Sequence, residues 1–306
     1  MPTIILEVEH ITTYSYAKPV TFGEHRAVFL PRGSYEGRIL SYSLDTNIPS
    51  EIHWISDTLS NNVAYMKFSE PSAELRVTCK FRAIHYGLKG IADFPLESRA
   101  ELIPVQYTPE EWIDLMVYLH PYAEDPSGAV AAWGKGFIIG DHYQTRGMLQ
   151  RMMETIRDEF TYLARNVEGT QSPEETLAKK SGTCRDYAWL MIEALRRLGF
   201  ACRFVSGYLY DPALDGGEVG MTGSGATHAW LQVYLPGAGW LNYDPTNRLT
   251  DGYDLIQVAI ARRPEQAIPL AGSWFGATGD FLDLSVKVSV RKIGTLPEVQ
   301  SLGPAE

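Results

Sequence analysis

A cysteine, a histidine and an aspartate in the second half of the chain could together build a centre that attacks a carbonyl group. Cys184 follows Gly182 and Thr183 and opens a predicted helix that is largely apolar and is closed by Gly199. A thiol at a helix N-terminus has a lowered pKa because backbone N–H groups and the helix dipole favour the thiolate. The backbone N–H of Cys184 would also be free to bind an oxyanion. The alternative is a small buried apolar side chain, the common fate of a free cysteine.

His228 and Asp244 are expected at one end of a hairpin. His228 begins a predicted strand after a glycine-rich loop at residues 216–225, and Asp244 follows a predicted strand at residues 240–243. A turn at residues 236–239 joins the two strands, which would bring both side chains to the same end. There the carboxylate could hold the imidazole in the tautomer that a general base needs. Taken singly, they could be an exposed histidine and a turn-forming aspartate before proline.

The remaining cysteines and histidines give little support for a disulfide framework or a metal site. Cys79 and Cys202 lie inside apolar strands and are expected to be packing residues, and an odd count of three cysteines leaves one unpaired. This cysteine content is typical of a protein in a reducing compartment. The seven histidines form no pair with metal-ligand spacing. We therefore expect no metal and no cofactor; the alternative is a zinc site built from Cys184, Cys202 and His228.

The length of 306 residues favours two domains. Residues 1–104 alternate apolar and polar positions in short runs broken by Pro, Gly and Asn, which predicts an all-β N-terminal domain. A capping pattern around Pro109 predicts that a helical region begins there. We therefore expect an α+β protein whose second domain covers residues 105–306. A further alternating run at residues 281–291 predicts a strand, which we expect to extend the sheet of this second domain.

Composition and charge exclude several classes of partner. The formal net charge is −10, from 27 basic and 37 acidic residues, and no Lys- or Arg-rich run occurs. A protein that binds nucleic acid or an anionic membrane surface needs such a basic footprint. Neither a signal peptide nor a stretch of about 18 uncharged apolar residues is found, so no membrane span is expected. We expect a cytoplasmic protein, and the sequence leaves its oligomeric state open.

The order and flanks of the three chemical residues resemble those of transglutaminase-like proteins. The resemblance covers about residues 140–260 and is carried by the following segments: residues 182–188, 195–199, 203–208, 227–230 and 240–246. The N-terminal segments at residues 14–26 and 30–32 resemble the bacterial transglutaminase-like N-terminal domain. Together the two resemblances span most of the chain.

The resemblance implies a papain-like core in which a helix bearing the cysteine packs on an antiparallel sheet bearing the other two residues. Carried over residue by residue, it makes Cys184 the nucleophile, His228 the base and acid, and Asp244 the group that orients the imidazole. It also implies acyl transfer on an amide of a peptide or protein. Arg185 and Asp186 are expected to be structural, and no residue is assigned as the second oxyanion donor.

Hydrolysis through an acyl-enzyme is the favoured reaction, because the sequence shows no site for an amine acceptor. Transamidation of protein glutamine, as in cross-linking transglutaminases, is the first alternative. A non-catalytic interaction module of the same fold is the second. Trp230 and Trp240 flank the predicted catalytic strand ends and are expected either to wall a substrate groove or to pack in the core.

Overall fold

A computed structural model describes residues 3–34, 36–87, 95–139, 144–164, 169–215, 221–222, 225–250 and 254–296. Seven α-helices lie in these ranges: Ser98–Glu101 (α1), Pro109–Leu119 (α2), Ala129–Lys135 (α3), Thr145–Glu159 (α4), Pro173–Lys179 (α5), Cys184–Arg197 (α6) and Pro212–Asp215 (α7). A 3₁₀ turn covers Pro264–Ala267. Among the described residues, no helix is long and apolar enough to cross a membrane.

The strands of the first half of the chain form two sheets, which also contain strands from the C-terminal part of the chain. They are Thr3–Phe22 (β1), His25–Ala27 (β2), Gly37–Thr46 (β3), Ser50–Ser56 (β4), Asn62–Phe68 (β5) and Ser72–His85 (β6). The strands that follow are Thr161–Tyr162 (β7), Ser181–Gly182 (β8), Cys202–Leu209 (β9), Thr227–Leu235 (β10), Gly239–Tyr243 (β11), Leu255–Ala261 (β12), Leu270–Ala271 (β13), Trp274–Phe275 (β14) and Phe281–Leu296 (β15).

The N-terminal domain is built from period-2 strands, as the sequence predicts. One sheet has the order β14-β1-β6-β3, with β15 also paired to β1, and the other has the order β13-β2-β5-β4. Strand β6 shows why these residues form strands: alternate side chains from Leu75 to His85 are buried while most of those between them are exposed or half-buried. One face therefore packs in the core and the other faces solvent.

The expectation that the strand near residues 281–291 extends the core sheet is wrong. Strand β15 pairs antiparallel with β1, from Phe281 opposite Tyr16 to Leu296 opposite Thr3. The alternating pattern predicts a strand but not its partner. The twenty-residue β1 offers an edge long enough for the whole of β15. Strands β13 and β14 likewise join N-terminal sheets, so the C-terminal segment completes the first domain.

Helix α6 is the centre of the second domain and packs against the antiparallel sheet β11-β10-β9-β12. All of its residues except Arg185 and Arg197 are buried, which agrees with its nearly all-round apolar pattern. It ends at Gly199, whose φ of 85° needs the left-handed conformation that glycine adopts without strain.

The buried charge pair Glu193–Arg196 fixes the second half of α6. Glu193 accepts hydrogen bonds from the backbone N–H groups of Tyr122 and Ala123, and Arg196 Nη1 donates to it at 2.9 Å. The guanidinium also donates to the carbonyl oxygens of Tyr118, Cys202 and Arg262. A buried ion pair is tolerated when its remaining hydrogen-bonding groups are satisfied in this way. The pair therefore fixes the position of α6 relative to the loop after α2 and to the core sheet.

Asn61, which lies in the turn between β4 and β5, is one of the residues that link the N-terminal strands to the core sheet. Its side-chain amide donates to the carbonyl of Ile260 at 2.9 Å and accepts from the N–H of the same residue at 2.9 Å. The amide therefore replaces a neighbouring strand at the edge of β12. Asn61 is only 2% exposed, so both bonds are shielded from water.

Replacing Asn61 with alanine should lower the free energy of unfolding by about 1–3 kcal/mol, because two buried backbone groups of Ile260 would lose their partners. Urea denaturation followed by circular dichroism measures this change. Gln106→Ala, at an exposed loop position, serves as the matched control and should change the stability little. Equal midpoints for the two variants would show that the Asn61 bridge contributes nothing.

Candidate active site

The carboxylate of Asp186 holds the turn that presents Cys184. It accepts the backbone N–H of Thr183 at 2.7 Å, the hydroxyl of Thr183 at 3.0 Å and the backbone N–H of Gln171 at 2.7 Å. Asp186 is completely buried at the third position of α6, where the positive end of the helix dipole stabilises its negative charge. The expectation of a structural role agrees with these contacts. The bonds fix where the helix begins and hence where the sulfur lies.

Gly182 is required by the close packing of this turn. A Cβ atom there would lie 2.8 Å from the Cβ of Asp186 and 2.9 Å from the side-chain nitrogen of Gln171. Real Cβ atoms do not tolerate such distances from a fixed neighbour. The glycine before the predicted nucleophile therefore permits the approach of Asp186 on which the turn depends.

His228 and Asp244 meet at the end of the β10–β11 hairpin, as their spacing predicts. The pairing of Leu231 with Tyr243 and of Leu235 with Gly239 sets the register. His228 Nε2 then donates to Asp244 Oδ2 at 2.8 Å, and both side chains are buried. The predicted glycine-rich loop before His228 lies partly outside the described residues.

Asp244 is oriented by its own turn. Its Oδ1 accepts the backbone N–H of Thr246 at 2.9 Å, and its Oδ2 accepts the Asn247 side-chain amide at 3.2 Å. The turn-forming and imidazole-orienting interpretations of this aspartate are therefore compatible. One oxygen shapes the backbone while the other faces the histidine.

The Cys184 thiol lies close enough to His228 for the two groups to interact electrostatically. Burial by itself raises the pKa of the thiol, but its side-chain interaction with His228, the positive charge of the imidazolium and that of Arg185 outweigh burial and lower the pKa. Burial disfavours the imidazolium, but the carboxylate of Asp244 and the thiolate outweigh it and raise the pKa of His228 to about 10. Within the described residues His228 Nδ1 is buried and has no hydrogen-bond partner. The arrangement favours a thiolate–imidazolium pair.

Tyr162 is a residue of this site that the sequence does not reveal. Strand β7 pairs parallel with β8, which places Tyr162 opposite Gly182 and its side chain near the Cys184 thiol. Burial and the neighbouring thiolate raise the pKa of Tyr162 above its usual range, so it stays a neutral donor. A two-residue strand that pairs with another of two residues leaves no periodic signal in the sequence.

Trp230 and Trp240, both expected near the site, have different surroundings. Trp230 is completely buried; its ring stacks on that of His228 with centroids 6.0 Å apart, and its Nε1 donates to Asn242 Oδ1 at 2.9 Å. A side chain with no exposed surface supports the imidazole and cannot wall an open groove. Trp240 lies further along the hairpin, where the guanidinium of Arg203 stacks on its ring at 4.1 Å.

The other cysteines differ electrostatically from Cys184. Burial, with Asp45 nearby, raises the pKa of Cys79 to about 12, and burial also raises the pKa of Cys202 above its usual range. Both therefore remain protonated, as the packing interpretation requires. In the described ranges no group of three potential metal ligands is found, including any that would combine Cys184, Cys202 and His228.

The fold and this arrangement define a class. A buried helix that begins with cysteine and packs on an antiparallel sheet carrying histidine and aspartate is the papain-like architecture. Residues 132–245 match the family model of the transglutaminase-like superfamily, and residues 6–83 match that of the bacterial transglutaminase-like N-terminal region. The chain thus belongs to the bacterial transglutaminase-like proteins, and the predicted family and α+β fold class are confirmed.

Several individual proteins are similar to this chain. An uncharacterized protein of Mycobacterium leprae is 28% identical over 289 residues, which cover 93% of this chain and 98% of that protein. A protein-glutamine gamma-glutamyltransferase of Pseudomonas aeruginosa is 29% identical over 136 residues, or 42% of this chain and 19% of that protein. A crystal structure described as a "putative cysteine protease" from Cytophaga hutchinsonii superposes with a TM-score of 0.70 and 17% identity, covering 97% and 94% of the two chains. At that identity it establishes the fold alone.

Cys184 should react with iodoacetamide at about pH 7 at least about tenfold faster than a free thiol, because its lowered pKa leaves more thiolate there. The thiolate is lost as the pH falls through the lowered pKa of Cys184. The charge of His228 persists until the pH rises through about 10. Mass spectrometry of the labelled peptides gives the rate at each pH.

Asp244→Asn is the matched variant for this experiment, since it keeps the side-chain shape and removes the charge that stabilises the imidazolium. It should shift the labelling curve of Cys184 toward that of an ordinary thiol. The idea fails if the wild-type rate simply follows the titration of a free thiol near pH 8.5.

Proposed function

We propose that this protein is a cysteine-dependent acyl-transfer enzyme that acts on amide bonds of peptides or proteins. The observation that carries the proposal is the three-residue arrangement in which the Cys184 thiol interacts with His228 and Asp244 accepts a 2.8 Å hydrogen bond from the same ring. A nucleophile, a base and a group that orients the base are the parts that covalent catalysis needs.

In the proposed reaction the Cys184 thiolate attacks the amide carbonyl and forms a C–S bond. The negative charge that develops on the carbonyl oxygen is stabilised by backbone N–H groups at the start of α6 and by the hydroxyl of Tyr162. His228 then gives its proton to the amine as the C–N bond breaks, which leaves an acyl group on Cys184 and a neutral imidazole. Water attacks the thioester, His228 takes its proton, and the acid is released as the thiolate is restored.

An amine in place of water in the second step would make the same site a transamidating enzyme. The similarity over 136 residues to a protein-glutamine gamma-glutamyltransferase favours this second candidate. Both reactions share the acyl-enzyme, so they differ only in which nucleophile reaches the thioester. A non-catalytic module of the same fold would have no need for the charged pair buried at Cys184 and His228.

Incubation with a library of peptides and simple amides should give an acyl adduct on Cys184, detected as a mass increase of the intact protein. Cys184→Ala should show no adduct, and Cys202→Ala, which removes a thiol from the core, should still acylate. Adding a primary amine such as butylamine should convert the adduct to the amide if the enzyme transamidates, and to the acid if it only hydrolyses. No adduct on Cys184 with any library member, in a protein that iodoacetamide still labels rapidly, would count against acyl transfer.

Tyr162→Phe should lower kcat for amide cleavage by about 10- to 1,000-fold with little change in KM, because the hydroxyl is proposed to act on charge that exists only in the transition state. The phenyl ring keeps the packing beside Tyr187, where the ring centroids are 6.3 Å apart. Steady-state kinetics with any substrate from the library gives both constants, and Tyr42→Phe, at an exposed position, is the control. Unchanged kcat would remove Tyr162 from the mechanism.

A further inference from the structure

A cavity lies away from Cys184, between the N-terminal strands and the core sheet. It has a volume of about 750 Å³, which falls in the range of small-molecule sites. One wall comes from the loop before β3 and from strands β3 and β6, and the other from strands β9 to β12. We refer to it as the interdomain cleft.

The charge of the interdomain cleft is opposite to that of the protein. Three arginines line it, Arg32, Arg38 and Arg203, against one acidic residue, Glu36. The chain as a whole carries −10. Within the part of the chain that the structure describes, neither Arg32 nor Arg38 has a carboxylate partner. His85, which also lines the cleft, has a pKa lowered by burial and so adds no charge.

The floor of the interdomain cleft is pre-organised around Gln232, which is only 3% exposed. Arg203 Nε donates to Gln232 Oε1 at 2.7 Å, and the guanidinium plane is held over the Trp240 ring at 4.1 Å. Gln232 Nε2 in turn donates to Asn242 at 2.8 Å and to Gln257 at 2.9 Å. An arginine already fixed in place loses little conformational entropy when a ligand binds.

Apolar surface completes the lining. Ile39, Ala83, Leu255 and Ile256 lie around the polar floor together with Trp240. Guanidinium groups recognise carboxylates and phosphates through paired hydrogen bonds, and apolar side chains beside them suit an apolar body. We propose that the interdomain cleft binds a small organic anion with a carboxylate or phosphate head and an apolar body.

This site is distinct from the proposed acyl site. His228 and Gln232 are four residues apart on β10, or about 14 Å along the strand. The completely buried Trp230 lies between them on the same face of the strand, so no substrate chain can run directly from one to the other. Trp230 nevertheless shares Asn242 with Gln232 and stacks on His228, which gives the cleft a contiguous path of contacts to the imidazole.

Isothermal titration of the full chain with benzoate, phenyl phosphate and the neutral analogue benzyl alcohol tests the proposal. At least one anion should bind with a Kd of about 1 mM or below, and the neutral analogue should bind at least about tenfold more weakly. The comparison of benzoate with phenyl phosphate identifies the preferred head group. Binding should weaken as salt is added. No binding of either anion at about 20 mM, or equal binding of the neutral analogue, overturns the proposal.

Two sets of variants locate the site. Arg32→Gln with Arg38→Gln removes both unpaired cations, and Gln257→Glu adds a carboxylate while keeping the oxygen that accepts from Gln232. Each should weaken anion binding by about tenfold or more. Arg291→Gln removes a surface cation that pairs with Glu7 on the N-terminal sheet and should leave binding unchanged.

Cys184→Ala separates this proposal from the proposed reaction. It abolishes any acyl-enzyme but should leave the Kd of the anion unchanged. Loss of anion binding in Cys184→Ala would place the ligand at the acyl site and overturn the proposal that the interdomain cleft binds it. Normal anion binding in both cleft variants would overturn the proposal as well, provided that thermal denaturation shows these variants to be folded.

Discussion

Two carboxylates on one buried helix hold the core of this protein together. Asp186 near the start of α6 and Glu193 near its end are both completely buried, and each accepts several hydrogen bonds from backbone groups of neighbouring segments. Removing a charge from water costs several kcal/mol unless such partners are present. These hydrogen bonds therefore restrict the position of α6 relative to its neighbouring segments. Because Cys184 is its first residue, the position of the sulfur is set by bonds that have no part in the chemistry.

The same low-dielectric setting makes the charges of the candidate site depend on one another. Burial alone would keep the thiol of Cys184 protonated and the imidazole of His228 neutral. Each becomes charged because the other does, with Asp244 as the third charge of the set. A group that orients the histidine thus also decides whether the cysteine is a nucleophile. The candidate site is best described as one coupled unit whose parts cannot be assigned separate strengths.

Features encoded in neighbouring residues could be predicted from the sequence. The start of α6 follows from Gly182 and Thr183, its end from Gly199, and the meeting of His228 with Asp244 from the length of one hairpin. Such features depend on helix caps, turns and periods, which are properties of short segments. They cover the core around the candidate nucleophile and the all-β character of the first half.

Features that depend on long-range pairing could not be predicted. The paired residues of β15 and β1 are 265 to 293 residues apart along the chain, and an alternating pattern is the same for any partner. Tyr162 reaches Cys184 through a pairing of two-residue strands. Trp230 and Trp240 have equivalent sequence contexts, but one supports the imidazole and the other lies in the interdomain cleft. Both rings lie on one face of the sheet, because Trp240 pairs with Tyr234, so the difference arises from their positions along the hairpin.

The return of β15 to β1 makes the core an insertion within the first domain. During synthesis, β1 is made before the core and cannot gain its long neighbour until residues 281–296 have been made, so this edge of β1 stays unpaired while the core is synthesised. Strand β15 also contacts the loop before β10, since the backbone N–H of Val288 donates to the carbonyl of Gly225 at 3.2 Å. A late strand thus reaches the loop that leads to His228. A newly made chain would complete the surroundings of the candidate site only after β15 has been made.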